Sequence, residues 1–347
     1  SWPYLALHGD FWLSETWRSN STLLVYDQSL SRRYQPPSPG SIKRGRTVIR
    51  KAATIVDFAT TNFYHFLLVA LPKLLALKDF IASEQLKIIV PMDKSRLRFI
   101  ERLVSLVIGK PVDDLELVRY DNSADSAPGE RFYIKELYFA EARRVVFKAG
   151  QQSTHCLMNP VFLRPAGFYF QDNLPSHVKH FEINPIEDGI DLSHPVDAPN
   201  AGQYVIYASR SGEKSRRLSV SLETRLLTNI SKVSKVVEFH GSSLIMEKAI
   251  VLFSGASVVM GVHGAALSNI LFCKPKTLVV ELGFETPISM HFEHAAKALG
   301  LRYAKFVLNG TNEHAMTTET VVLEKEVERK VVELVHERMA ERRLGEL

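Results

Sequence analysis

Apolar runs and amphipathic segments alternate along the second half of the chain. Short runs rich in Val, Ile and Tyr predict strands at 204–208, 235–239, 257–262, 277–281 and 302–307. Between them, helical periodicity predicts helices near 220–231, 243–254, 265–271 and 289–299. Strands that alternate with helices are typical of parallel βαβ units. We therefore predict a doubly wound parallel sheet in this half.

The first half begins differently and then adopts the same pattern. Residues 1–47 alternate short apolar runs with turn residues, which predicts an irregular β-rich lead-in. Downstream the pattern predicts a helix over 61–77 that Pro72 bends, a strand at 86–91, a helix at 95–107 and a strand at 115–118. This half is therefore expected to form its own Rossmann-like domain.

Prolines mark the expected boundary between the two domains. Four of them fall between Leu174 and Gln203, a composition typical of a connecting loop. We predict a lead-in at 1–47, an N-terminal acceptor-side domain at 48–190, a C-terminal donor domain at 191–315 and an amphipathic helix at 316–347. Apolar residues at helical spacing indicate that last helix: Val321, Val327, Val331, Leu334, Val335 and Met339. It either crosses back to the first domain or forms a homodimer.

Composition narrows the classes of function. The chain has 347 residues, 46% hydrophobic content and a formal charge of +5. Its two cysteines, Cys156 and Cys273, show no metal-ligand spacing, and no zinc-finger or RNA-recognition signature accompanies the charge. We therefore expect no nucleic-acid partner. The chain starts at Ser1 with no long apolar segment, so we interpret it as a fragment whose anchor was removed.

One cluster of basic residues comprises Lys43, Arg44, Arg46, Arg50 and Lys51. It is either solvated or the site of a peripheral contact with an anionic membrane surface.

The most informative motif is a glycine turn after the predicted strand at 257–262. His263-Gly264-Ala265-Ala266 lets the backbone turn sharply and approach a ligand, and the helix that follows offers N–H groups to a phosphate. The next strand ends at Glu281, whose carboxylate can bind both hydroxyls of a ribose. The alternative is ordinary helix–strand packing, with His263 as a structural histidine.

A basic loop after the strand at 204–208 supports the nucleotide interpretation. The loop runs from Ser209 and Arg210 through Lys214 to Arg216 and Arg217. Arginine forks match phosphate oxygens well, and parallel strands bring this loop to the same sheet edge as His263. Otherwise the run is a solvated surface loop.

These residues resemble glycosyltransferase family 61. The resemblance rests on four blocks in order: Asn62–Leu68 through Leu71–Leu74, the Ser209–Arg217 loop, His263–Asn269 and the strand ending at Glu281. It covers roughly residues 50 to 305 and implies a GT-B architecture, with two Rossmann-like domains facing a cleft. It also implies inverting transfer from a UDP-sugar, with xylose, arabinose and N-acetylglucosamine as sugars that relatives transfer. The acceptor is then a hydroxyl of a glycan or glycoprotein.

The predicted nucleotide-sugar site follows from these blocks. The diphosphate contacts Arg210, helped by Lys214, Arg216 and Arg217, together with the backbone of Gly264 and Ala265. Glu281 binds ribose, and Phe239 and His240 either hold uracil or form an ordinary strand end. Ser209, His263 and Asn269 complete the predicted set. No Asp-x-Asp triplet occurs in the sequence, so we expect no metal and no other cofactor.

His65 is the predicted catalytic base. Relatives carry an acidic residue one turn further on, where this chain has Val69. A histidine near its reference pKa accepts a proton at neutral pH, so it can replace that acid. Asp57 and Glu141 are lower-ranked candidates, and His65 can instead be a helix-face residue packed beside Phe63 and Phe66.

The sequence leaves two other functions and two compartments open. A dinucleotide-dependent oxidoreductase would need a Gly-x-Gly-x-x-Gly turn, which the first strand lacks. A catalytically inactive protein that binds a sugar nucleotide or glycan would keep the donor pocket and lose the base. The low cysteine count favours a bacterial cytoplasmic enzyme associated with a membrane, and the alternative is the lumen of the endoplasmic reticulum or Golgi.

Overall fold

A computed structural model describes residues 5–16, 21–25, 47–56, 62–92, 98–120, 132–140, 160–171, 204–241, 245–284, 290–308 and 320–343. The chain divides into two units, Ser1–Arg144 and Val145–Leu347. The proline-rich junction predicted near residue 190 lies outside the described residues, so the domain limits drawn from the sequence stay a prediction.

Six strands form a mixed sheet in the first unit. They are β1 (Leu5–Thr16), β2 (Ser21–Val25), β3 (Thr47–Thr54), β4 (Lys87–Pro91), β5 (Leu117–Tyr120) and β6 (Phe132–Phe139). The order is β2-β1-β6-β3-β4-β5, with β6, β3, β4 and β5 parallel. β1 runs antiparallel to both β6 and β2. The lead-in therefore extends this sheet, which its irregular sequence pattern did not indicate.

The predicted helix at 61–77 is one continuous helical stretch that extends further. It consists of α1 (Phe63–His65), a π-helical segment (Phe66–Ala70) and α2 (Leu71–Ser83). Asn62 caps its start by accepting a hydrogen bond of 2.9 Å from the Tyr64 N–H. Pro72 has no N–H to donate, and it lies in the first turn of α2, directly after the π-helical bond from Leu71 N to Phe66 O.

α3 (Phe99–Ile108) and a 3₁₀ turn (Val112–Asp114) complete the described helices of this unit. In the basic cluster, Lys51 lies on β3 and its Nζ is 2.6 Å from the Glu84 carboxylate. Lys43, Arg44 and Arg46 lie outside the described residues, so the membrane contact remains a prediction.

The second unit contains the predicted parallel sheet. Its strands are β7 (Tyr204–Ser209), β9 (Lys235–His240), β10 (Val258–Val262), β11 (Leu278–Gly283) and β12 (Arg302–Val307), in the order β12-β11-β10-β7-β9. All neighbours are parallel, which confirms the five predicted strands. Two short strands, β8 (Arg217–Leu218) and β13 (Thr320–Val321), pair separately.

The helices of this unit are α4 (Pro160–Gln171), α5 (Val220–Ser231), α6 (Met246–Ser254), α7 (His291–Ala298) and α8 (Lys325–Arg343). One predicted helix differs in type, because Ala265–Phe272 is a 3₁₀ helix. Its first turn is closed by a 3.1 Å bond from Leu267 N to Gly264 O. The tighter 3₁₀ winding follows directly from the extended Gly264, without an α-helical turn in between.

α8 packs against its own unit. Val331, Val335 and Met339 are fully buried in the cluster that includes one face of the sheet and α5. The Arg225 guanidinium on α5 donates to both oxygens of Glu328 on α8. Val321 was wrongly assigned to this helix, because it pairs with Leu218 in the two-stranded sheet.

Candidate functional site

The site lies where the connections of the second sheet change direction. From β7 the chain proceeds through α5 to β9 on one side, and β10 then lies on the other side of β7. In open α/β sheets, ligands bind outside the carboxyl ends of the strands at such a reversal. Arg210 follows β7 and His263 follows β10, and Ala208 is in register with Gly261. Both predicted loops therefore start at this edge.

Arg210 lies directly against Gly264. A β-carbon built on Gly264 would lie 2.1 Å from Arg210 Nη1 and 3.1 Å from its Cζ. Gly264 has extended backbone angles (φ 178°, ψ 167°), so the position requires glycine for space and not for a left-handed conformation. The Arg210 Nη2 and Nε groups donate to the Ser215 carbonyl at 3.1 and 3.3 Å.

Arg216 adds a second guanidinium on the same loop. Burial lowers the pKa of Arg210, and the charge of Arg216 lowers it further. Burial also lowers the pKa of Arg216, whose Nε is buried and lacks a hydrogen-bond partner among the described residues. The exposed carboxylate of Glu213 is 3.9 Å from Arg210 Nη2. Two partly desolvated like charges are stabilised when an anion binds between or beside them.

The other predicted loop residues are placed differently. Lys214 is exposed, and Arg217 lies half-buried on β8. Ser209 is buried, and its hydroxyl donates to Glu223 Oε1 at 3.0 Å. Burial raises the pKa of Glu223, although hydrogen bonds from Tyr207 and Ser209 oppose this. The hydrogen bond between Ser209 and Glu223 therefore holds the start of the loop against α5.

His263 and Glu281 form a buried pair beside the glycine turn. His263 Nδ1 is 2.5 Å from Glu281 Oε1, and the Tyr303 hydroxyl donates to Glu281 Oε2. The Glu281 residue is 0% exposed. The His263 ring packs edge-on against Phe292 of α7 with centroids 5.3 Å apart. Contact between Glu281 and a ribose stays a prediction, and it would require Glu281 to leave one of these partners.

The remaining predicted donor-site residues lie around this edge. Phe239 is buried and packs edge-on against Phe253 at 5.0 Å, while His240 ends β9 in register with Ser209. Ala265 is half-buried and begins the 3₁₀ helix. Asn269 is fully buried and donates to the Ala266 carbonyl at 2.8 Å, and its Oδ1 lacks a partner among the described residues. The uracil contact of Phe239 and His240 remains a prediction.

The predicted base belongs to the first unit. His65 is half-buried, ends α1 directly before the π-helical segment, and contacts the Tyr64 ring edge-on at 4.9 Å. Phe63 and Phe66 pack instead on Phe99 of α3. π-helical segments are frequent at functional sites. Asp57 and Glu141, the lower-ranked bases, lie outside the described residues.

Val69 lies inside the π-helical segment and is 4% exposed. An acidic side chain in this position would be desolvated among apolar neighbours. The valine therefore suits the apolar packing of this segment.

The described ranges also bear on metal binding and on membrane spans. No three His, Cys, Asp or Glu side chains in these ranges are grouped as metal ligands would be, and metal independence stays a prediction. None of the helices described is both long and apolar enough to cross a bilayer.

Sequence reasoning missed two residues that support the site, Glu223 and Tyr303. A signal for Tyr303 was present along β12, where successive side chains alternate between the two faces of the sheet. Ala304 and Phe306 pack on the core cluster at one face, so Tyr303 lies on the other. Nothing local in α5 singles out Glu223, whose partners on β7 are brought near it only by the fold.

Comparison with known proteins identifies the family of this chain. A sequence model of the family described as Glycosyltransferase 61 matches residues 63–280. The chain is also similar to a protein of Oryza sativa subsp. japonica named alpha-1,3-arabinosyltransferase XAT2, with 27% identity over 120 residues. That match covers 30% of this chain and 20% of the rice protein, so the chain spans about a fifth of its relative. Since the family match extends from Phe63 to Val280, over more than half of the chain, this protein belongs to glycosyltransferase family 61.

Proposed function

We propose that the second unit binds a UDP-sugar and that its diphosphate lies against Arg210, Arg216 and the backbone of Gly264 and Ala265. One observation carries the proposal: the Arg210 guanidinium rests on Gly264, at the edge where the strand order reverses. Backbone N–H groups after a glycine turn and arginine forks are both suited to phosphate oxygens. Lys214 and Arg217 assist from the same loop.

The two guanidinium groups also suit the chemistry of the leaving group. When the bond between the anomeric carbon and the diphosphate breaks, negative charge develops on the phosphate oxygens. Cations that are already desolvated stabilise this charge without reorganising at the moment of reaction. Arg210 and Arg216 thus take the role that a divalent metal has in other transferases. We propose metal-independent transfer on this basis.

Transfer proceeds with inversion in this proposal. The oxygen of an acceptor hydroxyl attacks the anomeric carbon from the face opposite the diphosphate, and UDP leaves with the bonding electrons. His65 accepts the hydroxyl proton. Phe239 and His240 contact the uracil, and a GT-B arrangement of the two units completes the proposal. A ribose contact by Glu281 is not part of it, because its carboxylate would have to leave His263 or Tyr303.

Arabinose is the first sugar to test, because the rice relative is named for arabinosyl transfer. Xylose and N-acetylglucosamine are the other two candidates, and the acceptor is a glycan or glycoprotein hydroxyl. The compartment follows from the acceptor: a bacterial surface glycan places the enzyme in the cytoplasm at the membrane, and a wall glycan or glycoprotein places it in the endoplasmic reticulum or Golgi lumen.

A thermal-shift screen against UDP, GDP, CMP, NAD and a panel of UDP-sugars, with and without EDTA, tests the donor site. A ligand that binds the folded state raises the melting temperature. We expect a shift selective for UDP compounds that survives EDTA. Arg210→Ala should abolish it, whereas Lys274→Ala, which removes the same charge from an exposed position, should keep it. A shift with NAD alone would contradict the proposal.

A second candidate is a catalytically inactive protein that binds the sugar nucleotide. It is favoured by one observation, the buried Val69 at the position of the expected acid. Binding of UDP without any transfer or donor hydrolysis across the panel of UDP-sugars and glycan acceptors would support it over the enzyme.

A further inference from the structure

Three polar side chains meet on one face of the second sheet: His263 directly after β10, Glu281 within β11 and Tyr303 near the start of β12. The Glu281 carboxylate lies between His263 and Tyr303, with His263 Nδ1 2.5 Å from Oε1 and the Tyr303 hydroxyl on Oε2. Opposite faces of the same strands carry the apolar core, including Val262, Val280 and Leu282. The three polar groups therefore lie on the face of the sheet opposite this cluster.

The hydrogen-bonding capacity of each group fixes where the protons lie. An ionised carboxylate only accepts, and a phenol has a single proton to donate. Burial, and next the charge of Glu281, raise the pKa of Tyr303, so its hydroxyl stays protonated and donates. With Oε2 occupied by Tyr303, Oε1 accepts from His263, which places the ring proton on Nδ1.

Among the described residues, the hydrogen bond of His263 is made through Nδ1 and none engages Nε2. The Nδ1 side is bound to a carboxylate that is 0% exposed, and the ring packs at steep angles against Phe284 and Phe292. Nε2 lies on the opposite side of the ring, and His263 directly precedes Gly264, against which Arg210 packs. In the Nδ1–H tautomer, Nε2 is an acceptor, and a hydroxyl group is the substrate group that donates to it.

We propose that Glu281, whose second oxygen accepts from Tyr303, is a positioning residue that locks His263 in the Nδ1–H tautomer, so that Nε2 accepts a hydrogen bond from a hydroxyl of the sugar-nucleotide donor. The lock is a property of the unliganded protein. The hydroxyl contact rests on the proposed function, because it needs the donor to bind at this edge.

A glutamine at position 281 distinguishes a lock from simple packing. Its amide has one acceptor oxygen and one donor nitrogen, whereas Tyr303 and His263 Nδ1 both donate to the carboxylate. If the amide oxygen accepts from Tyr303, the amide nitrogen faces Nδ1 and drives the ring proton to Nε2. In the double variant Glu281→Gln/Tyr303→Phe, the amide oxygen is free to accept from Nδ1 again. The second substitution should therefore repair the first.

Nitrogen-15 NMR of histidine-labelled protein reads the tautomer directly, since protonated and unprotonated ring nitrogens have well-separated shifts. The chain has 12 histidines, and a His263→Gln spectrum identifies the signals of His263. The wild type should show the Nδ1–H form, Glu281→Gln the Nε2–H form, and the double variant the Nδ1–H form. Tyr303→Phe alone should keep the wild-type tautomer.

The wild-type spectrum alone already overturns the lock if the proton is on Nε2, even when Glu281→Gln does not fold. An unchanged tautomer in folded Glu281→Gln, or a double variant that stays in the Nε2–H form, also overturns it. Either result would leave a purely structural role for the three residues.

The substrate contact is measured separately, by titration with the UDP-sugar that gives the largest thermal shift. Glu281→Gln should weaken its binding about tenfold or more, because Nε2 then carries the ring proton and no longer accepts from the sugar hydroxyl. The double variant should recover to within about threefold of the wild type. A changed tautomer with unchanged affinity overturns the hydroxyl contact. If the wild type binds no UDP compound while the tautomers behave as expected, the donor-site proposal fails and the lock stands.

Discussion

Gly264 and Arg210 occupy space that allows no side chain between them: a β-carbon on Gly264 would lie 2.1 Å from Arg210 Nη1. The contact joins the loop after β7 to the turn after β10. The backbone of the turn and the guanidinium can therefore contact one anion together, which neither loop could hold equally well alone.

Gly264→Ala should displace Arg210 and weaken UDP binding about tenfold or more, since a charge-assisted hydrogen bond contributes about 1.5–3 kcal/mol. The backbone at Gly264 is extended (φ 178°), so alanine brings no conformational strain and the protein should stay folded. Calorimetric titration with UDP, together with a thermal melt, measures both effects.

Gly212→Ala is the matched control for that change. Gly212 belongs to the same loop, and a β-carbon there meets no atom within 4 Å. UDP affinity should stay at the wild-type value. An equal loss of affinity in both variants would point to general loop disturbance and would count against the Arg210–Gly264 contact.

His65→Gln should lower the rate of sugar transfer by about 10²–10⁴-fold, the range for removal of a general base. UDP affinity should not change, because the proposed donor contacts are all in the second unit. Steady-state kinetics and UDP titration separate the two quantities. The control is His336→Gln, whose histidine contacts the Asn229 carbonyl at 3.3 Å in a structural position. Near-normal transfer by His65→Gln would rule out His65 as the base.

Protonation of Glu101 in acid should lower the free energy of unfolding of the first unit. Burial opposes ionisation of Glu101, but hydrogen bonds and charges of Arg119 and Arg98 outweigh it and lower its pKa below the usual 4.5. A carboxylate with a lowered folded-state pKa contributes stability that is present above 4.5 and lost as the pH falls further.

Urea unfolding between pH 3 and pH 7 tests this, with the free energy of unfolding as the readout. Glu101→Gln should flatten the decline below pH 4.5, where the wild type loses stability. Arg119→Gln should flatten the same range, since it removes the partner and not the carboxylate. A decline as steep as that of the wild type in both variants would show that other groups cause it.

Met339→Ala should reduce the free energy of unfolding by about 2–5 kcal/mol, the cost of emptying a buried position of this size. Met339 is 1% exposed and packs from α8 into the core of the second unit. Val322→Ala, at a side chain that is 59% exposed, should change stability by less than about 0.5 kcal/mol. Similar small losses in both would mean that α8 is not part of the cooperative core.

The glycine turn and the strands of the second unit were predictable because their signals are local. Alternation of apolar runs and helical periodicity fixes element type, and the five strands were found within one or two residues at each end. The Ser209–Arg217 loop and the His263–Gly264 turn followed from their places after strands, since parallel strands bring such ends to one edge.

Long-range pairing was not predictable in the same way. β1 pairs with β6, which lies more than 100 residues further along the chain. Nothing next to either strand in the sequence indicates this pairing. The π-helical bonds at Phe66–Ala70 come directly before Pro72, and a hydrophobic period of 3.6 residues does not distinguish them from α-helical bonds. The 3₁₀ helix that begins at Ala265 was missed because the hydrophobic pattern does not distinguish it from an α-helix.

By itself, the sequence determined the α/β class, the sheet edge at which the two loops meet and the family, because patterns of period two and 3.6 and short motifs persist in any fold that satisfies them. Only the tertiary structure decided which polar groups share protons. Glu281 was predicted to contact a ribose, a contact that stays a prediction, and the fold buries its carboxylate between His263 and Tyr303. The partners of a buried carboxylate are set by the register of neighbouring strands, and register is a property of the assembled sheet.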